Sequence, residues 1–248
     1  MNDKEFKEMM EEICPNSLQE EWDNSGYQIN LSNASIKKIL VVLEITSEVV
    51  DEAIAKEVDM IVTHHPLFFK EWKTIDNNTV IGNNTTELIK ENISVYSCHT
   101  SFDKMKGGNN DYLSDKLEMV NLNIFEGDDS EICRVGEFKN VKLFSECIDF
   151  VSNKLGIEKC FMSAIGCKDK PIKTVGICSG SGGEYIELAK NNKCDLFITG
   201  DVKYHDARMA EELKLCVIDA GHFGTEKCFV DNMSNLLENK IKNQPFKL

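Results

Sequence analysis

An α/β fold, built as two interlinked domains with mostly parallel sheets flanked by helices, is predicted by three features of this 248-residue chain. β-branched apolar runs alternate with stretches of helical spacing along nearly the whole length. The length exceeds the usual domain size of roughly 100 to 150 residues. A polar stretch rich in Asn, Asp and Gly, 121–130, then divides two halves of similar rhythm, which makes it the candidate domain crossing.

The elements follow in order. Residues 1–12 read as an acidic amphipathic helix with Phe6, Met9 and Met10 on its apolar face, without the basic start and apolar middle of a signal peptide. Trp22-Asp23-Asn24-Ser25-Gly26 reads as a turn with an anchoring aromatic. A strand over 38–45 (KILVVLEI), a serine-capped helix over 47–57 and a strand over 59–63 (DMIVT) form a unit whose two strands are parallel. After a loop over 66–84, the pattern repeats as helix 85–91 and strand 93–97. Gly107-Gly108-Asn109-Asn110 breaks the chain before a helix over 111–117. The second half offers helix 141–155, strand 173–178, helix 183–191, strand 195–199, helix 205–213, strand 215–219 and a final helix 225–242. The division expected is 1–125 with 220–248 as one domain and 126–219 as the other.

A formal net charge of -14 argues against a nucleic-acid duplex as partner, because backbone binding needs a basic surface. Only Arg134 and Arg208 among the 28 basic residues offer the guanidinium fork suited to phosphates. No apolar run approaches the ~20 residues of a membrane helix. The 10 cysteines are spread along the chain without a Cys-x-x-Cys pair, which points to a reducing cytoplasm instead of a disulfide scaffold. Cys98 reads as a buried strand thiol.

All 5 histidines lie in polar segments that follow apolar runs. In an open parallel sheet the carboxyl ends of the strands are where distant residues meet around a ligand. His64 and His65 follow the second strand, Asp103 lies after the third, His222 follows the last, and Glu226 comes one helical turn later. These five are candidate metal ligands, against the plain alternative of polar residues at strand ends. Consecutive residues of an extended segment point to opposite sides, so His64 and His65 suggest two ions, or one ion and an outer histidine. With two carboxylates in the set, a dinuclear centre is the more natural filling. His99 reads either as a proton relay or as a structural histidine. His205 reads as a helix cap ahead of a substrate contact. The glycine-rich stretch 176–183 lacks the lysine of a phosphate-binding loop and reads as a tight turn.

Taken together, EEWDNSGYQIN (20–30), VTHHPLFF (62–69), HTSFDKMKGGNNDYL (99–113), GICSGSGG (176–183), ITGDVKYHDA (198–207) and IDAGHFGTE (218–226) resemble, in order, the motifs of the Nif-three-like family, also called the GTP cyclohydrolase 1 type 2 family. The resemblance implies a two-domain Nif-three-like fold, a ring-shaped homohexamer and two divalent metal ions per subunit, with zinc, iron and manganese all suited to the donors. By motif match the metal ligands are His64, His65, Asp103, His222 and Glu226. The activity implied is hydrolysis of a small-molecule substrate, a nucleotide, with GTP ring opening and formate release as the candidate and His99 as the proton-transfer residue. A two-metal phosphoesterase and a non-enzymatic metal-handling protein are the alternatives.

Overall fold

In the computed structural model, which describes residues 1–32 and 35–243, the chain folds as two α/β units, Met1–Met105 with Phe229–Leu248, and Lys106–Cys228. The expected bounds differ from these. The segment 106–125 and the segment 220–228 both fold with the second unit, because each packs on its larger sheet.

The first unit comprises α1 (Asp3–Ile13), β1 (Gly26–Ile29), β2 (Ile39–Val42), α2 (Ser47–Ala55), β3 (Met60–Thr63), α3 (Val80–Lys90), β4 (Ser94–Ser97) and α4 (Thr100–Lys104). Its 4-stranded sheet has the order β1-β4-β3-β2. β2, β3 and β4 are parallel, and β1 joins β4 antiparallel, pairing Gly26 with Ser97. Every residue of β3 and β4 is buried, the mark of parallel strands covered on both faces. Asn2 opens α1 with a capping box: its side chain accepts from the Glu5 amide at 2.9 Å, and Glu5 accepts from the Asn2 amide at 2.7 Å. Phe6, Met9, Met10 and Ile13 then fall on one face and pack with Met60, Tyr96 and Phe102. Burying each such side chain contributes about 1.5–3 kcal/mol.

The second unit comprises α5 (Asn109–Lys116), β5 (Met119–Ile124), β6 (Arg134–Leu143), α6 (Phe144–Leu155), β7 (Ser163–Ile165), β8 (Pro171–Ser181), α7 (Ile186–Asn191), β9 (Leu196–Gly200), α8 (Tyr204–Glu212), β10 (Cys216–Asp219) and α9 (His222–Glu226). Its 6-stranded sheet has the order β5-β6-β8-β9-β10-β7. β8, β9 and β10 are its parallel centre, with Cys216 beside Leu196 and Gly176 beside Phe197. β5, β6 and β7 extend it by antiparallel pairing. Two apolar layers line the sheet, one around Phe138, Phe144 and Ile198, the other around Phe125, Phe197 and Val217. α10 (Cys228–Asn243) carries the chain back, and Phe229, Met233 and Leu237 pack into the core of the first unit.

The antiparallel additions are what the sequence reading lacked. β6 alternates buried Arg134, Gly136 and Phe138 with less buried neighbours, and β5 carries two asparagines, so neither shows the continuous apolar run of a central strand. Among the described residues no helix is long and apolar enough to cross a membrane, and no cysteine forms a disulfide.

Candidate functional site

In the first unit the parallel register sets Thr63 beside Ser97, so the segments leaving β3 and β4 run side by side. The Ser97 hydroxyl donates to the His64 carbonyl at 2.8 Å, and the His65 amide donates to the Leu43 carbonyl at 2.9 Å. His64 is fully buried, and its Nδ1 lies 2.7 Å from the Cys98 carbonyl. A carbonyl only accepts, so the ring proton sits on Nδ1 and Nε2 keeps its lone pair. Asp103, in the first turn of α4, places Oδ1 at 3.7 Å from that Nε2. This is beyond hydrogen-bond reach, yet two bonds of about 2.1 Å to a shared ion would span it at an angle of about 120°.

The expectation that His64 and His65 face opposite sides is corrected. Their ring centroids are 5.2 Å apart, and the donor atoms of His64, His65 and His99 all lie within 4.8 Å of one another. Side-chain alternation needs extended backbone; β3 ends at Thr63, and the bend that follows turns both rings to one side.

His99 has a partner the sequence reading missed. Asp23 Oδ1 lies 2.8 Å from His99 Nδ1, while Oδ2 accepts from the Thr100 amide at 3.1 Å and from the Ser25 hydroxyl at 2.9 Å. Burial pushes the Asp23 carboxyl up, but the His99 imidazole and the hydrogen bonds from Thr100 and Asn24 outweigh it and hold the group well below the usual carboxylate range. The antiparallel pairing of Gly26 with Ser97 brings the Trp-Asp-Asn turn to this end of β4. Nothing in the linear spacing announces that pairing. Trp22 and Phe69, both exposed, stand nearly perpendicular to the His99 ring, with centroids 6.0 and 5.6 Å from its own.

The second unit builds its own donor pair at the carboxyl ends of β9 and β10. Glu226, 3% exposed, puts Oε2 at 2.9 Å from His222 Nε2, and Asp201 Oδ2 stands 2.7 Å from His222 Nδ1. Hydrogen bonding to Glu226, against the opposing effect of burial and with help from Asp201, pushes His222 up to about 9. Asp201 lies 21 positions before His222, and linear spacing does not join the two. The imidazole flanked by a carboxylate on each nitrogen is the arrangement in which one partner orients the ring and the other shares its ligand position.

The glycine-rich stretch proves to be the end of β8 and packs directly beneath this pair. Gly180, at φ +68, donates its amide to Thr225 Oγ1 at 2.9 Å, and a Cβ there would run into the Glu226 carboxylate. At Gly200 a Cβ would come 2.6 Å from the His222 amide nitrogen. Gly180→Ala is therefore expected to displace Glu226 and lower metal affinity by roughly 10-fold or more, the scale of losing a group that orients ligands. Metal titration of the purified variant checks this.

His205 is not the cap expected. Asp206 accepts from the Lys203 amide at 3.0 Å and caps α8, while His205 stays exposed against the Tyr204 ring. The carboxylate, one residue on, has the reach that an imidazole lacks. Each unit's donors are nitrogen and carboxylate oxygen, held by outer hydrogen bonds, which fits a divalent cation of the zinc, iron or manganese type.

The family model for Duf34/NIF3 (NGG1p interacting factor 3) matches residues 1–248. The chain belongs to the Duf34/NIF3 family. Among the relatives of this NIF3 chain, a Clostridium acetobutylicum protein named "GTP cyclohydrolase 1 type 2 homolog" is 36% identical over 243 residues, covering 96% of this chain and 90% of the relative. A Helicobacter pylori (strain J99) protein named "GTP cyclohydrolase 1 type 2" is 34% identical over 236 residues, covering 94% and 90%. The crystal structure of a Bacillus cereus protein related to NIF3 superimposes with a TM-score of 0.91 at 21% identity, covering 100% of this chain and 99% of that one. At that identity it speaks for the NIF3 fold alone.

Proposed function

We propose that this NIF3-family chain is a metal-dependent hydrolase of a nucleotide, with two divalent ions held by His64, His65, Asp103, His222 and Glu226. The observation that carries the reading is the His64 arrangement: a buried imidazole with its proton fixed on Nδ1 and its Nε2 spaced 3.7 Å from a buried carboxylate. An imidazole nitrogen and a carboxylate oxygen at that spacing are donor types that a zinc-, iron- or manganese-like cation takes. When bound, the ions supply Lewis acidity, making a water reactive near neutral pH and polarising the substrate atom under attack.

The chain's own residues do the rest. Asp23 keeps the Nδ1 proton of His99 in place, so His99 Nε2 accepts a proton and returns it to the leaving group. Asp201 fixes the plane of His222 through Nδ1. The name of the relatives supports GTP ring opening with formate release as the reaction. We place the chain in a reducing, cytoplasmic compartment and in a homohexamer, as the cysteine usage and the motifs suggest.

The deciding experiment is to remove metal, restore zinc, iron or manganese in turn, supply GTP, and assay formate against phosphate. Formate appearing only with metal is the expected outcome. Phosphate alone would make the protein a two-metal phosphoesterase, for which the same donors serve. Full activity after metal removal would defeat the hydrolase reading, and metal transfer to an acceptor without turnover would make it a metal-handling protein.

A further inference from the structure

Beside His222, within the second unit, lies a cavity of about 390 Å³ whose walls include Ile157, Glu158, Phe161, Phe223 and Lys227. Its size suits one ring system with a short substituent and is too small for a peptide segment or a domain. Phe161 is 74% exposed and Phe223 65% exposed, an unusual cost for two phenyl rings on one small concavity. The Lys227 ammonium is held by the Gly156 carbonyl at 3.1 Å and stands 5.9 Å from the Phe223 ring centroid. It offers a positive charge to an anionic substituent on a chain of net charge -14. Glu158 offers carboxylate oxygen to ring N–H groups. The floor is shaped by Gly224, where a Cβ would come 2.5 Å from Ile157 Cδ1.

We propose that this cavity is a subsite for a planar nitrogen heterocycle, stacked on Phe161 and Phe223, with the anionic tail of the same ligand on Lys227. The assignment deepens the hydrolase reading and rests on it for the identity of the ligand, a nucleotide. Aromatic faces give ring affinity without sequence of polar contacts, the ammonium gives the preference for a charged tail, and His222 on the same wall sets the ring against one half of the candidate donors.

The test is equilibrium binding of guanosine and of GTP to the full chain, with and without added metal, for wild type, Phe161→Ala and Lys227→Gln. Phe161 is exposed, so its removal leaves the core intact. Expected are binding of both probes by wild type, a weakening of both by roughly 10-fold in Phe161→Ala, and in Lys227→Gln a weakening of GTP by roughly 5-fold with guanosine unchanged. Wild-type affinity in both variants, or no guanosine binding by wild type, would overturn the subsite. Variant-sensitive binding with neither formate nor phosphate released would defeat the hydrolase reading and leave the subsite standing. Turnover with a KM indifferent to Phe161 would do the reverse.

Discussion

Glu226→Gln is expected to abolish turnover while leaving the chain folded. The carboxylate is 3% exposed and sits 2.9 Å from His222 Nε2, so its charge acts at short range with little water to screen it. Glutamine keeps the shape and removes the charge. Groups that merely orient a ligand change metal affinity by about 10- to 100-fold when lost, so removal of a ligand itself should exceed about 100-fold. Elemental analysis of the variant after dialysis should show metal lost relative to wild type, and its circular dichroism should be unchanged. An active Glu226→Gln protein with its full metal content would remove Glu226 from the centre.

Asp23→Asn is expected to lower kcat by roughly 100-fold or more while metal content holds, because general acid–base groups contribute on that scale and His99 loses the acceptor that fixes its tautomer. An asparagine also turns an amide toward one of the donors that Asp23 now accepts from, so a stability loss of about 1–3 kcal/mol accompanies the change. Two residues working as a unit give non-additive effects: His99→Ala alone and the double variant should be about as slow as Asp23→Asn alone. Kinetics and denaturant melts on the three proteins separate the two losses. A double variant slower by the product of the single effects would mean that Asp23 acts independently of His99.

The parallel centres of both sheets were legible because buried parallel strands write themselves as continuous apolar runs, as Met60–Thr63 and Leu196–Gly200 do. The residues at their carboxyl ends were legible for the same reason: the strand places them. What escaped depended on pairing between distant segments. β1 is only four residues long, yet its antiparallel pairing delivers Asp23 to His99. The bend after Thr63 was equally hidden, since two adjacent histidines look identical in a sequence whether the backbone under them is extended or turned. Gly180 read as turn chemistry, whereas its role is to leave room for a side chain 46 positions later in the chain, Glu226.

The proton on His64 Nδ1 answers to a main-chain oxygen. Its acceptor is the oxygen of Cys98, not the thiol, so exchanging the side chain at position 98 leaves the tautomer as it is. What would release it is a slip of one strand past its neighbour, which would move every inward-facing residue of β4 to the wrong side of the sheet. The electronic state of this imidazole is thus inherited from the sheet's alignment and shares its resistance to drift by point substitution.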